Sequence, residues 1–254
     1  MKLFDTAYEV LTKFCPEEFN VKKGCNTVRF GTLYDYRSID DEKLRDEHEG
    51  TFHYFIEFPE LTRVSPQWLG SFEVEGGGGA EFDCLEIRQD GPYVRKINLL
   101  GACPNCWIYC VSQSASVAGG VTDTHSDSWS IPQENLQELA RYFTGLLYSN
   151  LTVKDIPQSI LVKYSLQEIG QRLSLVTEIQ KVEYKDRNVT IAREEDVPVH
   201  EIEKLKASVA FTKPTRFQEE REVRIAFWLC FDGKKISVVN NPKIVSLRPI
   251  DSIV

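Results

Sequence analysis

The stretch FQEEREVRIAFWLCF, residues 217–231, has the residue pattern of a β-strand with one apolar and one charged face. Side chains of a β-strand alternate between two faces. Val223 and the alternate residues after it therefore form one apolar face, which we expect to enter a core. Glu220, Glu222 and Arg224 share the other face at a spacing of roughly 6.5–7 Å. We predict a strand whose charged face is directed away from the core.

The charged face has two interpretations, a functional site or a solvent-facing edge strand. Neighbouring carboxylates in a dry site raise the pKa of at least one of them. That arrangement suits acid/base catalysis or the binding of a hydroxyl group by hydrogen bonds. The same spacing is also typical of a solvent-facing edge strand, whose ion pairs contribute little to stability. The spacing alone leaves both readings open.

The rest of the chain predicts the fold class. Strand-like runs dominate residues 51–112, helical periodicity begins after Ser130, and strand patterns return after residue 217. Ser130 with Gln133, and Ser165 with Glu168, have the spacing of a helix capping box. We predict an α+β fold of mixed, mostly antiparallel sheets with a helical middle segment. It would form one domain over residues 1–254, with a β-rich part at about 51–112 and a helical part at about 130–208.

Composition narrows the class of protein. No run of apolar residues is long enough to span a membrane, and the first residues do not read as a secretory signal. These features predict a cytoplasmic chain whose seven cysteines are reduced thiols. The net charge is −8, yet residues 204–250 hold ten Lys or Arg against four Asp or Glu. This balance argues against nonspecific coating of DNA and leaves room for a local anionic ligand.

Five short motifs occur along the chain. They are Lys13-Phe14, the run from Arg29 to Arg37, Asp46 to Gly50, Cys110 to Ser112, and a closing segment with Phe211 to Pro214, Phe217 and Glu220 to Arg224. Together they resemble an uncharacterised bacterial and prophage family. The order of the parts also resembles the ADP-ribosyltransferase superfamily, which implies an ADP-ribosyltransferase-like fold.

The resemblance implies an enzyme that consumes NAD and modifies RNA or a protein, as a toxin or an antiviral defence effector. An accompanying antitoxin or chaperone would suit that setting. Glu222 would hold the nicotinamide-ribose hydroxyl and stabilise the transition state, and Glu220 would orient or deprotonate the acceptor, although either could be the catalytic one. The implied binding residues are Arg37, Arg29 or Lys13 for the diphosphate, Tyr36 for stacking on nicotinamide, Ser112 and Ser114 as the Ser-x-Ser pair, and Arg224 for the substrate.

Two other functions remain open at the level of sequence. A metal-dependent nuclease would use Glu220 and Glu222 with Asp46 or Asp127, and a noncatalytic binding module would use the same strand as an interface. Among the cysteines, Cys103, Cys106 and Cys110 have a partly zinc-like spacing. Buried reduced thiols are the simpler interpretation of these three residues.

Overall fold

The computed structural model describes residues 10–40, 42, 44–72, 79–113 and 125–248. Their strands are β1 Val10–Cys15, β2 Thr27–Thr32, β3 Thr51–Arg63, β4 Ala80–Arg88, β5 Gly91–Ala102, β6 Trp107–Ser112, β7 Asp127–Pro132, β8 Leu173–Lys181, β9 Glu183–Tyr184, β10 Asn188–Ile191, β11 Thr212–Lys213, β12 Glu222–Phe231, β13 Lys234–Lys235 and β14 Lys243–Ser246. Their α-helices are α1 Pro66–Ser71, α2 Leu136–Ser149, α3 Gln158–Leu161, α4 Leu166–Arg172 and α5 Val199–Ser208.

The larger sheet has eight strands and is built around β12 and β6. β12 pairs antiparallel with β6 and with β8, and it continues into β13 through a turn at Asp232 and Gly233. β6 also pairs with β1 and β2, and β7 pairs with β1. A smaller sheet has the order β10-β3-β5-β4, in which only the β10–β3 pair is parallel. The protein is therefore α+β with mostly antiparallel sheets and few helices.

β12 is buried on both faces. Val223, Ile225, Phe227 and Leu229 belong to a core that includes helix α2. The buried residues of α2 recur with helical spacing: Leu136, Leu139, Ala140, Phe143 and Leu147. Ala226, Trp228 and Cys230, on the other face of β12, belong to a second core that includes the smaller sheet. Full burial of a Val, Leu, Ile or Phe side chain stabilises the fold by about 1.5–3 kcal/mol.

The burial of Glu222 and Arg224 corrects the prediction for the charged face. Glu222 and Arg224 are buried, with exposed fractions of 5% and 1%, rather than directed to solvent. The strand begins at Glu222, and Glu220 lies in the preceding 3-10 helix Thr215–Glu220. The prediction was wrong because Glu49, Ala210 and Lys213 come from other segments of the chain and lie against the two buried side chains.

Two boundaries of the helical middle also differ from the prediction. Ser130 lies in strand β7, and α2 begins only at Leu136, so no capping box starts the helix at Ser130. The Ser165–Glu168 capping box is present, but α4 ends at Arg172. The next nine residues form β8, because pairing with the length of β12 outweighs the helical spacing of their apolar residues. No helix in the described part of the chain is long and apolar enough to cross a membrane.

Candidate functional site

A cleft opens where β1 and β2 diverge over one edge of β6. β2 pairs with the start of β6, at Trp107 and Ile108, whereas β1 pairs with its last residue, Ser112. Between these points the carbonyl of Cys110 accepts a hydrogen bond of 2.9 Å from the Lys13 Nζ atom. A side chain therefore takes the place of a strand partner at this point of the sheet.

Two adjoining cavities of about 120 and 300 Å³ make up the cleft. Both are lined by Lys13, Phe14, Tyr36, Cys110 and His125, among others. The smaller cavity adds Ser112, Lys213, Glu220 and Glu222, and the larger adds Arg29 and Trp129. The structure thus brings together six of the residues that the resemblance assigned to a site: Lys13, Arg29, Tyr36, Ser112, Glu220 and Glu222.

The two glutamates meet at a single ammonium group. Lys213 Nζ lies 2.6 Å from an Oε atom of Glu220 and 2.9 Å from one of Glu222. Arg221, between them, adopts the left-handed conformation with φ 44°, which is uncommon for a residue with a side chain. This turn, rather than the repeat of a strand, directs both carboxylates to Lys213. Ser112 donates a 2.7 Å hydrogen bond to the Glu220 carbonyl and so supports the turn.

Glu222 is held as a carboxylate. Burial alone would raise its pKa, but the charges of Arg224 and Lys213 outweigh burial and hold the pKa well below its usual range. Arg224 Nε donates a 2.7 Å hydrogen bond to one oxygen of Glu222, while Lys213 contacts the other. Both oxygens are therefore fixed at the wall of the smaller cavity.

Glu220 has the opposite behaviour. Burial raises its pKa to about 7, and the negative charge of Glu222 adds to this, although Lys213 acts against both. A carboxyl with a pKa near neutrality can exchange protons with an acceptor group. The site therefore holds one carboxylate that stays ionised and one that titrates near neutral pH.

Tyr36 and Arg29 form a wall of the cleft. A Cβ atom at Gly31 would lie only 3.1 Å from the Tyr36 ring, so the absence of a side chain lets this ring lie against β2. Burial raises the pKa of the Tyr36 hydroxyl, which keeps it protonated. Arg29 is half-exposed and pairs with Asp35 at 2.5 Å. Burial lowers the pKa of Lys13, whose ammonium also lies 4.6 Å from the centre of the Tyr109 ring.

The carboxylates belong to a buried chain of alternating charges that sequence reasoning missed. From Lys213 and Glu222 it continues through Arg224 to Glu49 at 2.9 Å. Arg187 lies 3.5 Å from Glu49 and 2.8 Å from Asp46. Among the described residues, the members of this chain are Glu220, Lys213, Glu222, Arg224, Glu49, Arg187 and Asp46. The sequence held only a partial signal: Asp46, Glu49 and Lys213 stand in the Asp46 to Gly50 and Phe211 to Pro214 motifs, on which the resemblance rests.

Other assigned residues lie elsewhere. Arg224 is beneath Glu222 and lines neither cavity of the cleft. Arg37 also lines neither cavity: its Nε atom donates to the Glu49 carbonyl at 2.8 Å, and its guanidinium stacks on the Tyr34 ring. Ser114 lies outside the described residues.

The residues considered for metal binding are dispersed. Asp46 lies at the far end of the charge chain, and Asp127 pairs with Lys23 at 2.9 Å. Burial raises the pKa of the Cys103, Cys106 and Cys110 thiols, which opposes the thiolate form that zinc requires. Within the described ranges, no three His, Cys, Asp or Glu residues form a group that could hold a metal ion.

A further cavity of about 290 Å³ lies between the smaller sheet and α5. Its lining is mostly apolar and includes Phe52, Tyr54 and Trp228. Glu203 is the one carboxylate among its lining residues, so it lacks the paired acids of the cleft. The cleft is the better candidate for chemistry.

No protein-family model, curated protein or solved structure matches this chain. Its function is therefore inferred from the cleft itself. The paired carboxylates, the shared ammonium and the cationic side chains along the wall define the chemistry available there.

Proposed function

We propose that this chain is an NAD-dependent ADP-ribosyltransferase, of the glycosyltransferase class, that modifies RNA or a protein. The observation that carries the proposal is the pair Glu220 and Glu222, joined by Lys213 at the wall of an extended cleft. Their pKa values are moved apart, so one group stays ionised and the other titrates near neutral pH. The order of the sequence motifs supports the same activity and a role as a toxin or phage-defence effector.

Glu222 would stabilise the transition state. Cleavage of the bond between nicotinamide and ribose develops positive charge on the ribose ring, which a fixed negative charge nearby stabilises. Arg224 and Lys213 hold the Glu222 carboxylate in place, so little reorganisation is needed. Because Glu222 lines the smaller cavity, its carboxylate would accept a hydrogen bond from a ribose hydroxyl there.

Glu220 would act as the general base toward the acceptor. An acceptor oxygen or nitrogen forms a bond to the anomeric carbon, and its proton passes to the Glu220 carboxylate. The glycosidic bond breaks, and nicotinamide leaves with the bonding electrons. Tyr36, Ser112 and Phe14 line the same small cavity and would exclude water from the reacting groups.

The larger cavity suits the rest of the dinucleotide. Lys13 and Arg29 are the cations on its lining and would bind the diphosphate. Trp129 and Val28 add apolar surface, on which a base can pack. The two cavities together fall within the size range of small-molecule sites, about 300–1,000 Å³.

A metal-dependent nuclease fits this geometry less well. Lys213 and Arg224 place two positive charges against Glu222, and they would repel a divalent cation there. Asp46 and Asp127, which would complete such a centre, are paired with Arg187 and Lys23. A noncatalytic binding module would consume no small molecule, and this property distinguishes it from both enzymes.

The test is incubation of the purified chain with NAD labelled on the adenylate phosphate and with cell extract. The proposal expects label on protein or RNA, with release of free nicotinamide. Protease and ribonuclease treatment of the product identifies the acceptor. Release of nicotinamide without labelled macromolecule would reduce the activity to NAD hydrolysis, and metal-dependent RNA or DNA cleavage with intact NAD would favour the nuclease.

The pH dependence of turnover tests the role of Glu220. The base must be ionised, so kcat/KM is expected to rise with pH through a midpoint near 7, where burial has placed the pKa of Glu220. An exposed glutamate would give a midpoint near its ordinary value of 4.5. Measurement of kcat/KM between pH 5 and 9 decides; a profile that is flat across this range would exclude Glu220 as the base.

A further inference from the structure

Glu49 is a fully buried carboxylate that the proposed chemistry does not use. Its exposed fraction is 0%, and an Oε atom lies 2.9 Å from Arg224 Nη1. The Arg224 guanidinium also has other acceptors: its Nε atom donates to Glu222, and Nη1 donates to the Ala210 carbonyl. The guanidinium is thus held between Glu49 and Glu222, so the position of one carboxylate depends on the other.

The loop that carries Glu49 is built to direct it inward. Arg37 donates a 2.8 Å hydrogen bond to the Glu49 carbonyl. Gly50 follows with φ 71°, a conformation that favours glycine, and a Cβ atom there would lie 2.6 Å from Leu33. The Gly50 carbonyl accepts a hydrogen bond from the Cys103 amide. The residue that was assigned to the cofactor, Arg37, instead braces this loop.

The charges of the buried chain do not balance when every member is ionised. It contains four carboxylates, at Asp46, Glu49, Glu220 and Glu222, and three cations, at Arg187, Lys213 and Arg224. An excess negative charge in a buried cluster favours protonation of one member. Glu220 is the member at the cleft end, and it is less buried than the other three carboxylates.

We propose that Glu49 is a positioning residue for the cleft, which fixes Glu222 through Arg224 and sets the balance of charge that Glu220 experiences. This inference rests on the proposed function only for the consequence to turnover; the coupling between Glu49, Arg224 and the two cleft glutamates is a property of the folded chain. This coupling distinguishes Glu49 from a residue that only stabilises the fold, because such a residue would not affect the titration of Glu220.

The decisive variant is Glu49→Gln, which keeps the shape and an oxygen for Arg224 but removes the negative charge. The chain then holds one negative charge fewer, so ionisation of Glu220 meets less repulsion. Its titration midpoint is expected to move to lower pH. The charged and titratable groups that face Glu220 are Lys213 on β11, Glu222 on β12 and Tyr184 on β9, with Lys13, Tyr36 and His125 lining the same cavity.

The midpoint is measured by NMR on protein with ¹³C-labelled glutamate carboxyls, with the Glu220 signal assigned by its loss in Glu220→Gln. This measurement requires no turnover, so it decides the inference even if the chain proves not to consume NAD. The matched control is Asp155→Asn. Asp155 is also fully buried and pairs with Lys243, which lies near Trp107 at the opposite end of β6 from Ser112.

The control is expected to lose stability and to leave the Glu220 midpoint unchanged. An unchanged midpoint in folded Glu49→Gln, or an equal displacement in Asp155→Asn, would overturn the inference. A second variant, Glu49→Asp, keeps the charge but shortens the side chain. It should leave the midpoint near that of wild type while kcat falls more than KM changes.

Glu49→Asp also covers the case in which Glu49→Gln does not fold. Because the shorter carboxylate withdraws from Arg224, the Nη1–H protons of Arg224, which donate to Glu49, should exchange with solvent faster than in wild type. Exchange at the wild-type rate would show that Glu49 does not hold the guanidinium, and the inference would fail on that measurement alone.

Discussion

Glu222→Gln is expected to lower the rate of NAD consumption by on the order of 10²–10³-fold, the usual cost of removing one preorganised charge or donor from a site. The substitution keeps the shape of the side chain and an oxygen that can accept from Arg224. It removes the negative charge that the proposed mechanism places beside the ribose. The measurement is release of nicotinamide, with kcat and KM determined separately, and we expect the loss to fall mainly on kcat.

A matched control is Glu178→Gln. Glu178 is also a strand glutamate with a cationic partner, Lys235, but it lies on β8 and lines neither cavity of the cleft. Its turnover should remain that of wild type. If Glu222→Gln kept wild-type turnover while remaining folded, Glu222 would not be the charge that the reaction needs. Equal losses in both variants would point to a general structural effect instead.

Arg224→Met is expected to lower the free energy of unfolding by about 3–5 kcal/mol, the cost of breaking a buried ion pair by removal of one partner. Methionine fills most of the volume, so the loss comes from charge. Glu222 and Glu49 would both lose a cation while remaining buried. Urea unfolding followed by tryptophan fluorescence measures the change.

Arg172→Met serves as the comparison. Arg172 also pairs with an acidic residue, Asp232, but both side chains are accessible to solvent, and such pairs contribute little. Its loss of stability should be much smaller than that of Arg224→Met. If Arg224→Met lost as little stability as Arg172→Met, water or a rearranged side chain would be compensating the buried carboxylates. The charge chain would then contribute little to the stability of the fold.

Much of the fold could be predicted from local patterns. The amphipathic spacing in α2, the Ser165–Glu168 cap and the turn at Asp232 and Gly233 all appear in the structure. Strand β8 was missed because its apolar spacing also fits a helix, and only pairing with β12 decides. The burial of Glu222 was missed for a related reason, since its contacts with Lys213 on β11 and with Tyr184 on β9 form only in the folded chain.

The cleft was predicted in part. Lys13, Tyr36, Ser112 and the two glutamates were assigned by resemblance, and they do line one cavity. Local spacing could not indicate which cation each glutamate would meet. Lys213, which pairs with Glu222, and Glu49, which pairs with Arg224, come from separate parts of the chain. These two contacts depend on how β11 and the loop before β3 are packed.

The contact between Lys13 and Cys110 has a consequence for ligand selectivity. The Lys13 ammonium fills a gap in the sheet, where it satisfies a backbone carbonyl. An anion that draws this ammonium toward itself leaves the carbonyl without its donor, at a cost of about 1–3 kcal/mol when the group is buried. A ligand that carries both an anionic group and an N–H or O–H donor avoids this cost. Anions without such a donor, for example chloride, do not, so the gap in the sheet discriminates against them.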